Sequence, residues 1–252
     1  MTYPLEVFGP LSEAAVRSGR QAIRFDLYGR GYSAWDGTRL TVDALARQAL
    51  AALDAVRPGA SAHLVGLSNA DLILNAFGAS WPERTRSLTW IAPSGIDHRT
   101  MRWSMRTTGR LPMVASLLGQ RLRRQCAERM KEHRAHLPPD APPEAEAAYE
   151  TAIHTVQTGL HFAGAVASHL TSLPLPARVI ADAEAVGHHR TPVMMLTFGE
   201  EADATEAGVT PLRAAVPDLT EIALPRGTHM ALIERPAEII PHLLAFLDAV
   251  ER

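Results

Sequence analysis

The strongest constraint on how this chain folds is the stretch Ala62-His63-Leu64-Val65-Gly66-Leu67-Ser68-Asn69-Ala70-Asp71. Leu64 and Val65 are apolar and β-prone, while Leu72, Ile73 and Phe77 repeat with helical spacing. Ser68 therefore sits where a strand turns directly into a helix. Gly66 and Ala70 stand two positions to either side, and small residues there let the flanking backbones approach closely enough for so sharp a turn. Such a turn lifts the serine hydroxyl above the sheet. The helix that follows aims its unsatisfied N–H groups and positive dipole end at the space beside the hydroxyl, where an oxyanion would form. The backbone N–H of Asn69 is the expected oxyanion donor. The pattern is a nucleophile elbow of Gly-x-Ser-x-Gly type, with Ala70 in place of the second glycine.

The remainder of the chain alternates short apolar segments with Ala- and Leu-rich ones. Residues 21–27, 62–66, 86–92, 192–198 and 219–224 are strand candidates, and Val42 to Val56, Leu72 to Ser80 and Ile239 to Val250 carry helical periodicity. Strands alternating with helices predict a mostly parallel sheet covered on both faces, an α/β fold. From about Asp97 to His189 the strand pattern stops. Helices are expected near 112–134 and 143–171, parted by Leu137-Pro138-Pro139-Asp140-Ala141-Pro142-Pro143, in which Pro142 and Pro143 suit a helix start.

Three further segments give this organisation a precedent: Asp26-Leu27-Tyr28-Gly29-Arg30-Gly31-Tyr32-Ser33, Val65-Gly66-Leu67-Ser68, and Gly227-x-His229 continuing through Glu234 to Pro236. Together they resemble the α/β-hydrolase superfamily, in its branch of small cap-bearing serine esterases, lipases and carbon–carbon bond hydrolases. The resemblance runs from about Pro10 to the C-terminus. It implies a core of residues 1–96 and 190–252, with residues 97–189 inserted as a helical cap over Ser68. It also implies an N-terminally shortened fold, since the usual leading strands and His-Gly oxyanion loop lack counterparts. One of the absent strands would lie centrally, between residues 21–27 and 62–66. Either Tyr3 to Phe8 takes that place, with Gly9-Pro10 standing in for the loop, or a second subunit covers it, or the sequence starts inside a longer chain.

A serine hydroxyl is a poor nucleophile at neutral pH and needs a base within reach, itself held by a third group. Of the eleven histidines, His229 occupies the family's histidine position, just after the last strand candidate and just before the final helix. His133, His136, His188 and His189 lie in charged or loop surroundings that predict solvated side chains. The acid is ambiguous. The family's Gly-x-x-Asp pattern would fall on Ala202, so a one-residue insertion makes Asp203 the first candidate, with Glu201 as a longer-armed substitute. Asp97, just after the strand that follows the serine helix, is the alternative.

Composition excludes other chemistries. The formal net charge of −2 suggests neither a nucleic-acid partner nor an anionic membrane surface. The lone Cys126 rules out an intramolecular disulfide and fits a cytoplasmic setting. No apolar run reaches membrane-spanning length, and the first residues lack a signal-peptide pattern. Gly29-Arg30-Gly31 is too short for a dinucleotide fingerprint, the histidine spacings fail metal-ligand patterns, and no cofactor or metal is expected. Arg121, Arg123 and Arg124 read as a solvated helix face. Met101, Trp103, Met105 and Met113 are candidates to line an apolar pocket beneath the cap.

The expected function is hydrolysis of a small or medium-sized, largely apolar ester, lactone or diketone-like molecule, with Ser68, His229 and Asp203 as the triad. The alternatives are a non-hydrolytic enzyme performing proton transfer, elimination or cyclisation in the same pocket, and a binding protein. A small-molecule substrate and a possible homodimer complete the expectation.

Overall fold

Four apolar segments pair into one parallel sheet in the computed structural model, which describes residues 3–95, 112–200 and 206–252. They are β1 (Ala62–Leu67), β2 (Thr85–Ile91), β3 (Val193–Phe198) and β4 (Thr220–Leu224), in the spatial order β1-β2-β3-β4. Gly66 pairs with Trp90, Trp90 with Met195, and Met195 with Glu221. The middle strands β2 and β3 are almost wholly buried; the apolar β3 sequence, interrupted by Thr197 alone, suits a strand covered on both faces, while β2 buries Ser87 and Thr89 beside Leu88, Trp90 and Ile91.

Ten helices accompany the strands among the described residues: α1 (Gly9–Arg17), α2 (Val42–Val56), α3 (Ala70–Ser80), α4 (Pro112–Ala135), α5 (Pro143–Thr158), α6 (Phe162–Thr171), α7 (Pro176–His188), α8 (Glu206–Ala215), α9 (Ala231–Glu234) and α10 (Pro236–Glu251). Local chemistry sets several starts. Thr41 caps α2 by accepting the Ala44 N–H at 3.1 Å, and Pro opens α5, α7 and α10, where its missing N–H costs nothing. Side chains of successive strand residues point to opposite faces. Thus Gly66 meets Leu74 of α3, while His63 meets Glu251 of α10 at 3.3 Å. Helices α4, α5 and α6 pack on one another between β2 and β3 in the chain, whereas α7 packs on α3 and α8.

The structure corrects three expectations. The expected single helix over 143–171 is broken into α5 and α6 at Gly159. Residues 21–27 are extended but form no strand, and Arg20 instead anchors their start by donating to Glu251 at 2.6 Å. A strand exists only with a ladder partner, and this segment finds side chains in that role: Gln48 Nε2 and Ser33 Oγ both donate to the Asp26 carbonyl. Tyr3 to Phe8 likewise supplies no strand. Leu5–Phe8 forms a 3₁₀ turn whose Leu5 N–H donates to the Asp26 carboxylate at 2.8 Å. The segment is nonetheless fixed, with Val7 fully buried. Among the described residues β1 is therefore an edge strand, paired on one side only.

Candidate active site

A parallel sheet places the C-terminal ends of all its strands on one edge, where the connecting loops gather functional groups. Ser68 follows β1, Ser94 follows β2, Glu200 follows β3 and His229 follows β4.

Ser68 adopts a left-handed backbone, with φ of 60°. Non-glycine residues pay a steric cost in this region and hold it only where surrounding structure over-determines it. The surroundings do so here. The Ser68 N–H donates to the Ile91 carbonyl at 2.9 Å, extending the β1–β2 ladder into the turn, and its carbonyl accepts the Asp71 N–H at 3.1 Å, opening α3. A Cβ on Gly66 would lie 2.7 Å from the Ala70 Cβ and 3.0 Å from Leu74 Cδ1. The small residues flanking the serine are thus in van der Waals contact, and a larger one at position 66 would force strand and helix apart. Asn69 stands at the helix start, and its side-chain oxygen accepts a 2.6 Å hydrogen bond from Ser94 Oγ.

Asp71, in the first turn of α3, is fully buried. Burial pushes its carboxyl up to about 7, against the opposing pull of hydrogen bonds from the Gly95 and Leu72 N–H groups and from Ser94 Oγ. The bonds to Gly95 and Ser94 are long, at 3.2 and 3.3 Å. As sequence alone, Asp71 is indistinguishable from an ordinary acidic residue favouring a helix N-terminus.

His229 is 4% exposed, in the loop between β4 and α9. Its ring lies 5.9 Å from that of Tyr3. Gly227, at φ of 116°, makes the turn that aims the loop, and its N–H donates to Glu200 at 3.1 Å. Glu200 thereby links the loop after β3 to the histidine loop. Asp203, Glu201 and Asp97 lie outside the described residues, as do Met101, Trp103 and Met105 and the side chain of Met113.

Beside His229 stands a second buried carboxylate. Glu234, 2% exposed, accepts from Tyr149 Oη at 2.6 Å and from Thr228 Oγ1 at 2.8 Å. His133 Nδ1 lies 3.7 Å away. Burial raises this carboxyl, yet the hydrogen bonds from His133, Tyr149 and Thr228 outweigh burial and hold it below its ordinary value. His133, expected to be solvated, is instead drawn against Glu234 and Thr228, with its side chain 17% exposed. The position of Glu234 is visible in the sequence; its partners on α4 and α5 are distant in the chain.

No family model matches the chain, and no curated protein matches it by sequence. Solved structures do. A thermophilic esterase from Thermogutta terrifontis, solved with malate bound, superposes with a TM-score of 0.75 at 16% identity, covering 99% of this chain and 87% of its own. The enol-lactonase from Burkholderia xenovorans LB400 gives 0.71 at 17% identity, covering 98% and 88%. E-2-(acetamidomethylene)succinate hydrolase gives 0.68 at 18% identity, with the same coverage of 98% and 88%. The chain has the α/β-hydrolase fold. Among the described residues no helix is long and apolar enough to cross a membrane.

Proposed function

We propose that the chain is a serine hydrolase of small or medium-sized, largely apolar esters, lactones or diketone-like substrates. The left-handed Ser68 carries the reading: it sits on a strained, close-packed strand-to-helix turn at the carboxyl edge of a parallel sheet, the geometry a serine nucleophile uses. Ser68 attacks the carbonyl carbon and His229 takes the hydroxyl proton. The Asn69 N–H stabilises the oxyanion of the tetrahedral intermediate, and His229 then returns the proton to the leaving group. Asp203 orients the imidazole, and helices α4 to α6 form the cap that selects the substrate. The fold of the esterase and the enol-lactonase is compatible with this chemistry.

Incubation with a fluorophosphonate probe tests the reading. The expected result is a single adduct on Ser68, located by peptide mass spectrometry and absent in Ser68→Ala. Folded wild-type protein that stays unlabelled sinks it.

One observation favours a second reading, a non-hydrolytic enzyme using the same pocket. The unpaired flank of β1 is the side from which a second backbone oxyanion donor would come. In the N-terminal segment, the Leu5 N–H is already committed to Asp26 and the Val7 N–H to the Pro4 carbonyl. Loss of one donor costs about 3 kcal/mol of transition-state stabilisation. Turnover of a substrate that survives Ser68→Ala would select this alternative.

A further inference from the structure

We infer that Glu234 is a positioning residue that couples the seating of the cap to the backbone around His229. Its two carboxylate oxygens face different parts of the molecule. Oε1 accepts the Tyr149 hydroxyl of α5 and faces His133 of α4, so two cap helices converge on one atom. Oε2 accepts the hydroxyl of Thr228, the residue preceding His229. That hydroxyl, its proton committed to Glu234, accepts the N–H of Met230, the residue following His229, at 3.1 Å. The histidine is thus bracketed by one hydroxyl whose direction Glu234 fixes.

Other bonds also restrain the loop. Its backbone closes through the Ala231 N–H to the Thr228 carbonyl at 3.1 Å, and Gly227 is held by Glu200. Displacing α5 pulls Tyr149 from Glu234, frees the carboxylate to swing, and releases the Thr228 hydroxyl from its single orientation. A cap that is out of place therefore loosens the loop that carries the base. A carboxylate suits this task because it accepts from both sides at once, whereas an amide would present a donor to one of the two hydroxyls.

The catalytic consequence rests on the serine-hydrolase reading, and the coupling itself is measurable without it. Hydrogen exchange on the intact chain would be followed for wild type, Tyr149→Phe, Glu234→Gln and the double variant. Tyr149→Phe keeps the buried ring and removes only the hydroxyl. It is expected to speed amide exchange across residues 227–235 about tenfold while leaving β2 and α3 unchanged. In the Glu234→Gln background the same change should have no further effect. Saturation kinetics of fluorophosphonate labelling would show a maximal rate lowered about tenfold with the half-saturation concentration unchanged, the signature of a displaced base rather than a deformed pocket. Exchange at 227–235 equal to wild type in Tyr149→Phe overturns the coupling, as do additive effects in the double variant. Unlabelled wild type would end the hydrolase reading alone, and exchange would still decide the coupling.

Discussion

Two buried carboxylates stand at the carboxyl edge of the sheet, and they are stabilised in opposite senses. Asp71, on the elbow side, is pushed up to about 7 by burial, which outweighs hydrogen bonds from Gly95, Leu72 and Ser94. Glu234, on the histidine side, is held below its ordinary value because short bonds from two hydroxyls and the nearby His133 outweigh the same penalty. Burial alone does not decide the charge of an acid; the number and length of its donors do. The elbow side is built from close backbone packing, with an acid beneath it whose burial outweighs its hydrogen bonds. The histidine side is built from a polar network that reaches to α4 and α5.

The largest effect tests the acid of the proposed triad. In the chain, Asp203 comes after β3 and Asp97 after β2. Asp203→Asn is expected to lower turnover of a short-chain test ester by about 10⁴-fold with little change in KM, because the wrong imidazole tautomer is then favoured. A large loss in Asp97→Asn and none in Asp203→Asn would assign the acid to the segment after β2 instead.

The next effect tests the difference in charge. A carboxyl raised in the folded state contributes stability at low pH that is lost as pH climbs from 3.8 to about 7. Asp71→Asn removes that loss, so the variant should be more stable than wild type above pH 7, by at most about 4 kcal/mol. A variant less stable than wild type at pH 8 would show that the Asp71 charge is satisfied after all.

Deleting residues 1–8 removes the buried Val7, the Leu5–Asp26 bond and the ring beside His229. Unfolding in urea is expected to show a loss of about 2–4 kcal/mol, well beyond that of trimming a loose terminus. An unchanged urea midpoint would mean that the histidine side does not depend on this segment.

The smallest effect is the mirror of Asp71. Glu234 has a lowered pKa, so its contribution is present above about pH 4.5 and is lost as pH falls through its folded value. Glu234→Gln should cost about 1–3 kcal/mol at pH 7 by leaving one hydroxyl poorly matched, and the gap from wild type should close on acidification. Melting curves between pH 3 and pH 8 measure both carboxylates together, and parallel curves for the two variants would erase the contrast between the two sides.

The elbow was legible because its determinants are local: a β-prone run, two small residues and a helical repeat within one short stretch. The four paired strands were legible for the same reason. Residues 21–27 carry just as much strand character, yet pairing depends on what lies alongside, and no pattern within the segment contains that information. The helices α7 and α8 also passed unread, their apolar positions diluted by alanine and by an internal Pro211. Asp71 looked like a first-turn acid because its burial is created by Ser94 and Gly95 on another strand's loop. Glu234 belonged to a recognisable segment, but the hydroxyl that satisfies it comes from Tyr149, 85 positions earlier. Burial and partnership of polar groups are properties of the assembled chain.

The order of the sheet also sets an order of assembly. β1 and β2 are joined through a single helix and pair after a short excursion of chain. The Leu88–Val193 seam between β2 and β3 closes only after about a hundred intervening residues, at a correspondingly larger loop-closure entropy. On the ribosome, the parallel unit of strand, helix and strand around the elbow emerges complete while the partner of Thr89, Trp90 and Ile91 is still unmade. Until β3 arrives, that apolar strand offers its free edge to whatever extended chain is near. The length of chain between β2 and β3 therefore sets the interval during which the nascent protein is most exposed to mispairing.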